Sequence, residues 1–373
     1  MRLTDARRTA RYMVLMIGLL SYLLLPGCTG CDFGMGISIS PITITWPPVS
    51  ALHAYVSDSV FSGSVGVINT GTFQLETTVP VGNRPVDVTP VGSKLYVSNA
   101  DSDTVSVIDM GSKTVEKTVA VGLRPVNIAA YDGKAYVLNM DGDSISVIDT
   151  ASDSVAATIL VGAEPYDTAR LGNSIYVTNY ASASVSVIDM SSATVVTTIA
   201  VGTSPTGVVA VNGKLYVANR TSGSVSVIDS ATNTVTKTLT APDQPVAVVA
   251  VGDKIYVADR GSNVVRVISS ITDTITDSIS VGTDPWPMAV SGTTVCVACR
   301  GTSNTVYLID TTTDTVMAAV PVGTNPEIEA YDDLLCVPCR GSGDVYFVNV
   351  PSHQVLGITR SAGTDPRRAA FGQ

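Results

Sequence analysis

Histidine is almost missing from this chain: His53 and His353 are the two among 373 residues. A His-ligated metal cluster, a copper centre or a multi-histidine hydrolase site finds little material here. Charge is also sparse, with Asp, Glu, Lys and Arg at 14% and aromatics at 6%. That composition speaks against a salt-bridge-laced helical protein. Within the repeated part of the chain no stretch places apolar residues at helical spacing over three turns. The net charge of −10 disfavours a nonspecific grip on nucleic acid or on an anionic membrane, though not a local basic patch. No C-x-x-C-H haem motif, G-x-S-x-G elbow, phosphate loop or dinucleotide fingerprint occurs in a credible context.

What is present is repetition. A phrase of Val-Gly-x-x-Pro, an aromatic strand and Val-Ser-Val-Ile-Asp recurs about every 40 residues. Its prolines are Pro85, Pro125, Pro165, Pro205, Pro245, Pro285, Pro326 and Pro366, and its aromatic strand starts at Tyr55, Tyr96, Tyr136, Tyr176, Tyr216, Tyr256, Cys296 and Cys336. Between these anchors Val, Ile and Thr alternate with small polar residues at period two, which is strand periodicity. Turn signals such as Asp141-Gly142 and Asn212-Gly213 punctuate the runs. Four short strands fit each unit: A after the proline, B as Tyr-Val-x-Asn, C as Val-Ser-Val-Ile-Asp and D before Val-Gly. Four strands in about 40 residues is the size of one propeller blade. The sequence therefore predicts an all-β propeller of eight four-stranded blades, with seven blades and a stray hairpin as the alternative. The first unit has a poor A strand, and the residues after Pro366 have no unit of their own. The C-terminal strand is expected to close the ring.

Residues 1–28 read as a lipoprotein-type signal peptide. Arg2, Arg7, Arg8 and Arg11 precede an apolar run from Tyr12 to Leu25, which is shorter than the ~20 residues of a comfortable membrane span. Leu25-Pro26-Gly27-Cys28 then looks like a lipobox, making Cys28 the lipidation candidate; an uncleaved anchor or cleavage elsewhere are the alternatives. Residues 29–50 read as a flexible tether and 51–373 as one propeller domain. The expected location is exported, at the cell surface or in the periplasm, with membrane contact through the anchor only.

The phrases Tyr96-Val97-Ser98-Asn99, Tyr176-Val177-Thr178-Asn179 and Tyr216-Val217-Ala218-Asn219, each followed by Val-Ser-Val-Ile-Asp, resemble the YVTN-repeat β-propeller family from about Leu52 to Phe371. The resemblance implies an exported or surface propeller, similar in outline to lactonase-like and quinoprotein-like propellers. It implies little about activity, because one fold hosts many functions.

Function must then lie where the units differ. The residue after Tyr-Val-x-Asn starts the B-to-C turn, and in four successive units it is Arg220, Arg260, Arg300 and Arg340. On a ring they form a basic arc on the face that carries the D-to-A and B-to-C loops, beside Asp101, Asp103, Asp141 and Asp143. Guanidinium forks suit carboxylate, phosphate or sulfated glycan; braces between neighbouring blades are the competing reading. Strand A is expected to line the channel, with Asp87, Asp167 and Arg368 at its mouth and Tyr166 and Trp286 one position earlier, placed either to stack on a ligand or to fill space between blades. Units seven and eight replace Tyr and Asn together, giving Cys296-Val297-Ala298-Cys299 and Cys336-Val337-Pro338-Cys339. Disulfides, buried free thiols, and a zinc or iron site are the three readings for Cys296, Cys299, Cys336 and Cys339. Residues three apart on a strand face opposite sides and lie about 10 Å apart, which weighs against a metal.

The chain is thus expected to be a lipid-anchored recognition or surface scaffold without catalysis or resident cofactor, and a monomer. Its expected partner is a cell-envelope component, a glycan or a small anion, with no nucleic acid. Two alternatives stand beside this: a lactonase-like or quinoprotein-like enzyme using Asp87, Asp167 and Arg368, and a redox or metal role for the paired cysteines.

Overall fold

A computed structural model describes residues 52–373 except 61, 241, 242 and 361. The expected signal peptide with Cys28 and the expected tether lie outside the described residues.

Thirty-two strands form eight four-stranded antiparallel sheets and no helix occurs among the described residues. Each sheet is one blade of a propeller. Blade 2 is representative: strand A is Pro85–Val91, B is Lys94–Asn99, C is Thr104–Asp109 and D is Thr114–Ala120. Blades 3–8 follow in sequence order. Blade 1 takes strands B, C and D from His53–Asp58, Ser64–Asn69 and Gln74–Pro80, and its A strand from Pro366–Gly372. Ala54 pairs with Phe371 and Val56 with Ala369. The C-terminal strand therefore closes the ring, as the unmatched ends of the sequence predict.

The alternation that marks the strands also builds the core. Each B and C strand is apolar on both faces, so neither face tolerates water, and stacking blades buries both. Eight apolar clusters result, each drawn from two neighbouring blades: one joins Tyr96, Val105 and Val107 of blade 2 to Ile128, Val137 and Ile148 of blade 3. Strand D is the solvent edge. In blade 2, five of its seven residues are exposed and only Val119 is buried.

The repeated polar residues latch blade to blade. The C-to-D turn of each blade places one residue in the left-handed region, from Asp153 at φ 50° to His353 at φ 60°. Where that residue is Asp, the Tyr and Lys of the preceding blade's B strand bind it. The Tyr216 hydroxyl donates to Asp273 at 2.5 Å and Lys214 reaches the same carboxylate at 2.6 Å; Tyr256 and Lys254 do likewise with Asp314, both at 2.6 Å, and Tyr96 and Lys94 with Asp153. The Asn of Tyr-Val-x-Asn anchors the other end. In blade 3, the Asn139 amide donates to Ser144 and Ser146, and Gly122 lies so close that a Cβ there would meet the Asn139 side chain at 2.6 Å. This is why Val-Gly recurs one loop earlier in the sequence.

Blade 8 departs from the pattern. Its A strand shrinks to Glu329–Tyr331, against seven residues elsewhere. In blades 2 and 4 the third residue of Tyr-Val-x-Asn accepts the strand A amide with its hydroxyl, Ser98 from Asp87 and Thr178 from Asp167, both at 3.0 Å. Pro338 has no hydroxyl, and instead its carbonyl accepts from the Glu327 amide at 2.7 Å.

Candidate functional site

The A strands surround a channel of about 810 Å³. Side chains one and two positions after each proline face it or its rim. Tyr166, Trp286, Glu327 and Arg367 occupy the first position, and Asp87, Asp167 and Arg368 the second.

Asp87 and Asp167 are partly committed to structure. Asp87 Oδ2 accepts the Ile128 amide of the next blade at 2.9 Å, and Asp167 Oδ2 accepts the Val208 amide at 3.1 Å. Both therefore clamp adjoining blades as well as lining the lumen. Burial raises the Asp87 carboxyl and pushes Asp167 up to about 6, against the backbone hydrogen bonds and Arg368 that favour their charged forms. The acids beyond the turns are structural too. Asp103 Oδ1 accepts the Arg124 amide at 2.8 Å and Asp143 Oδ1 the Glu164 amide at 3.0 Å.

Arg368 stands differently. The ring encloses it, yet its side chain is open to the water of the lumen. Burial works against its charge, but Asp87, Glu327, Glu329 and Tyr166 outweigh that and hold its proton more tightly than usual. No ion pair joins Arg368 to these acids. Glu329 is its counterpart: burial pushes this carboxyl up to about 7, with Arg368 lowering it and Asp87 raising it.

The basic arc forms on one rim, but three of its four members are braced. Arg260 pairs with Asp284, Arg300 with Glu327, and Arg340 with Asp365 at 2.9 Å, in each case a carboxylate of the next blade. The acidic patch is likewise occupied, Asp101 by Arg84 and Asp141 by Arg124, both at 3.1 Å. Arg220 has no carboxylate, because Gln244 stands where the next blade would offer one. It turns to Trp286 instead. Arg220, Arg260 and Arg300 place their guanidinium carbons 5.3, 5.3 and 5.1 Å from the centre of that indole ring. Trp286 thus gathers cations from three blades at the channel mouth, which cation–π attraction permits. A smaller hollow of about 370 Å³ opens beside Arg220, between Tyr180 and Gln244.

The four cysteines are free and buried. Burial raises Cys296, Cys299 and Cys339 to about 12 and lifts Cys336 well above the ordinary thiol value. Within each pair the thiols face opposite sides of the blade: Cys299 packs against blade 6 with Tyr256, and Cys296 against blade 8 with Leu335 and Val337. Cys296 and Cys339 share one inter-blade layer, but they stand three residues apart in the repeat, about 10 Å along the strands, beyond the roughly 7 Å that a disulfide spans. Among the described residues no three His, Cys, Asp or Glu side chains gather to hold a metal ion.

Sequence reasoning did not single out Glu327 and Glu329. Their signal lay in the register, since they fall at positions one and three after Pro326, where Val86 and Val88 stand in blade 2.

No protein-family profile and no curated protein matches the chain. Solved structures do. Apo AztD from Citrobacter koseri aligns with a TM-score of 0.65 and 14% identity, over 87% of this chain and 99% of that one. The dihydro-heme d1 dehydrogenase NirN, solved in complex with DHE, gives 0.70 and 12%, over 85% and 74%. Hydrazine synthase of Kuenenia stuttgartiensis gives 0.56 and 22%, over 74% and 95%. At these identities the likeness establishes the β-propeller fold of this chain and nothing finer.

Proposed function

We propose that this chain is an exported, lipid-anchored propeller of the YVTN-repeat kind that recognises a small anionic solute at the mouth of its channel, without catalysing a reaction. The observation that carries this reading is the convergence of Arg220, Arg260 and Arg300 on Trp286. Two carboxylates, Asp284 and Glu327, neutralise part of that charge, and Arg220 keeps its hydrogen-bond donors for a ligand. A guanidinium that stacks on an aromatic face still presents its edge, and its fork matches carboxylate or phosphate oxygens. A binding protein needs no more than this, and the two acids the sequence offers for catalysis, Asp87 and Asp167, each hold a neighbouring blade.

Titration calorimetry with citrate, inorganic phosphate and a sulfated disaccharide at low and physiological salt tests the reading. At least one of them binds, more weakly as salt rises, and Arg220→Ala weakens it about tenfold with unchanged melting temperature. No heat from any of the three, or binding indifferent to Arg220→Ala and Trp286→Ala, defeats it. The anchor is tested separately: Cys28→Ala should move the protein from the membrane fraction to the soluble one.

A further inference from the structure

Below the mouth the channel carries both signs of charge and leaves them apart. Arg368, on the closing strand, and Glu329, on the short A strand of blade 8, belong to adjacent blades and feel each other's charge. They make no ion pair, so their charged atoms lie more than 4.0 Å apart. Among the described residues the Arg368 side chain finds no hydrogen-bond acceptor, although its backbone amide donates to Ser57 Oγ at 3.2 Å, and the Glu329 carboxylate finds no donor. Elsewhere on this rim the opposite holds, with Arg260, Arg300, Arg340 and Arg367 all seated on carboxylates. Arg368 and Glu329 stand on neighbouring strands of the channel wall, each held by its own sheet.

That arrangement selects by charge pattern. A bare cation is attracted by Glu329 and Asp87 but repelled by Arg368. A bare anion meets the reverse. A molecule carrying both signs on adjacent atoms satisfies both walls, and in a narrow channel each interaction is stronger than in bulk water. The lumen, at about 810 Å³, falls in the range of roughly 300–1,000 Å³ typical of small-molecule sites, and Tyr166 and Trp286 supply aromatic surface for an apolar side chain.

We propose that the lumen binds a free α-amino acid, its carboxylate on Arg368 and its ammonium against Glu329 and Asp87. This deepens the reading of the mouth and rests on it in one respect: the solute's carboxylate is the anion the rim arginines attract, and Arg368 is where it comes to rest. Binding of the ammonium requires Glu329 to be charged. The charged and titratable groups that act on Glu329 are Arg368 on the closing strand, Asp87 on strand A of blade 2 and the Cys336 thiol on strand B of its own blade. Strand A of blade 7, Pro285–Ser291, brings none. With the carboxyl raised to about 7, affinity falls as the pH drops below that value.

The experiment is calorimetry on the full chain at pH 8 and low salt with each of the twenty L-amino acids. Every binder is compared with two analogues, one lacking the amino group and one lacking the carboxylate; for leucine these are 4-methylpentanoate and 3-methylbutylamine. The expected result is at least one amino acid bound about tenfold or more tightly than either analogue. Glu329→Gln should remove most of that advantage and flatten its pH dependence, while leaving the weak binding of the deaminated analogue unchanged, which a merely structural role would not do. Arg368→Gln should weaken the amino acid and the deaminated analogue together. If Arg368→Gln does not fold, Arg368→Lys serves, with a smaller loss of both. Silence from all twenty amino acids overturns the proposal, as does equal affinity for an amino acid and its deaminated analogue. Citrate binding that survives while every amino acid fails sinks the lumen site and leaves the mouth standing. The converse, amino acids bound without any effect of Arg220→Ala or Trp286→Ala, upholds the lumen site and removes the mouth.

Discussion

Blades 2 to 6 and the arc from blade 7 through blade 8 to the closing strand solve the same packing problem in different ways. In the first region Tyr96, Tyr216 and Tyr256 each reach across to an Asp on the next blade, with a Lys beside them. In the second, Cys296 and Cys336 replace the tyrosines, and the left-handed turn residues opposite are His353 and Phe73. No Tyr–Asp latch remains there; at the last junction Phe73 packs on Phe347 with ring centres 5.1 Å apart, and Thr359 Oγ1 donates to the Phe73 carbonyl at 2.8 Å. The same arc supplies Trp286, Glu327, Glu329, Arg367 and Arg368 to the lining of the channel. The comparison teaches that the regular blades hold the ring in shape, while the blades released from the repeat are those that differentiate the lumen.

The largest test of that contrast is to remove the closing strand. Truncation before Pro366 deletes strand A of blade 1 and exposes Ala54, Tyr55 and Val56, now buried. A fall in melting temperature of more than about 10 °C, or failure to fold, is expected by calorimetry, since several kcal/mol of apolar burial is lost.

Next come the latches. Asp314→Ala strips two partners from one carboxylate and leaves the Tyr256 hydroxyl without an acceptor, so about 1–3 kcal/mol should be lost in urea unfolding. His353→Ala, at the equivalent turn of blade 8, should cost no more than about 0.5 kcal/mol. Equal losses would erase the distinction between the two regions. Tyr136 already shows the unlatched state within the regular region: Ala193 stands opposite, and its hydroxyl has no partner. Ala193→Asp should therefore add up to about 1 kcal/mol.

Smaller still is the pH effect of Glu329. Its folded carboxyl sits at about 7, above the ordinary value of 4.5. The folded chain thus holds a proton that the unfolded chain releases, and its contribution to stability is present below about pH 4.5 and lost as pH rises to about 7. Glu329→Gln should flatten that slope and gain about 1 kcal/mol relative to the parent at pH 8, as read from melts at several pH values. Smallest is thiol reactivity. With all four thiols buried and raised well above their ordinary value, a thiol reagent should label none of them in the native protein at pH 8 and all four after denaturation.

Much of the ring was legible beforehand. The 40-residue period set the blade count, and the orphan A strand pointed to closure by the C-terminal residues. The arc of Arg220, Arg260, Arg300 and Arg340 could be placed on one rim from register alone. Whether each arginine was brace or bait could not, because that depends on side-chain reach: Asp284, Glu327 and Asp365 lie 24 to 27 residues downstream, and only the ring brings them into contact. Asp87 and Asp167 were read as channel groups, and they are. Their second role, holding an amide 41 residues away, needed the neighbouring blade. The cysteines show the limit from the other side, since strand alternation alone sent the members of each pair to opposite faces.

Periodicity, strand alternation and turn chemistry are local properties, and by themselves they determined the blades, their number and the order of residues around the rim. The tertiary structure decided which charges cancel and which are left facing water, because neutralisation depends on distances of a few ångströms across inter-blade gaps. Gln244 where the next blade offers Asp284, and Glu327 and Glu329 where blade 2 has valines, are small changes in the text; closing the ring turns them into an unpaired Arg220 and a lumen with Arg368 and Glu329 on adjacent blades.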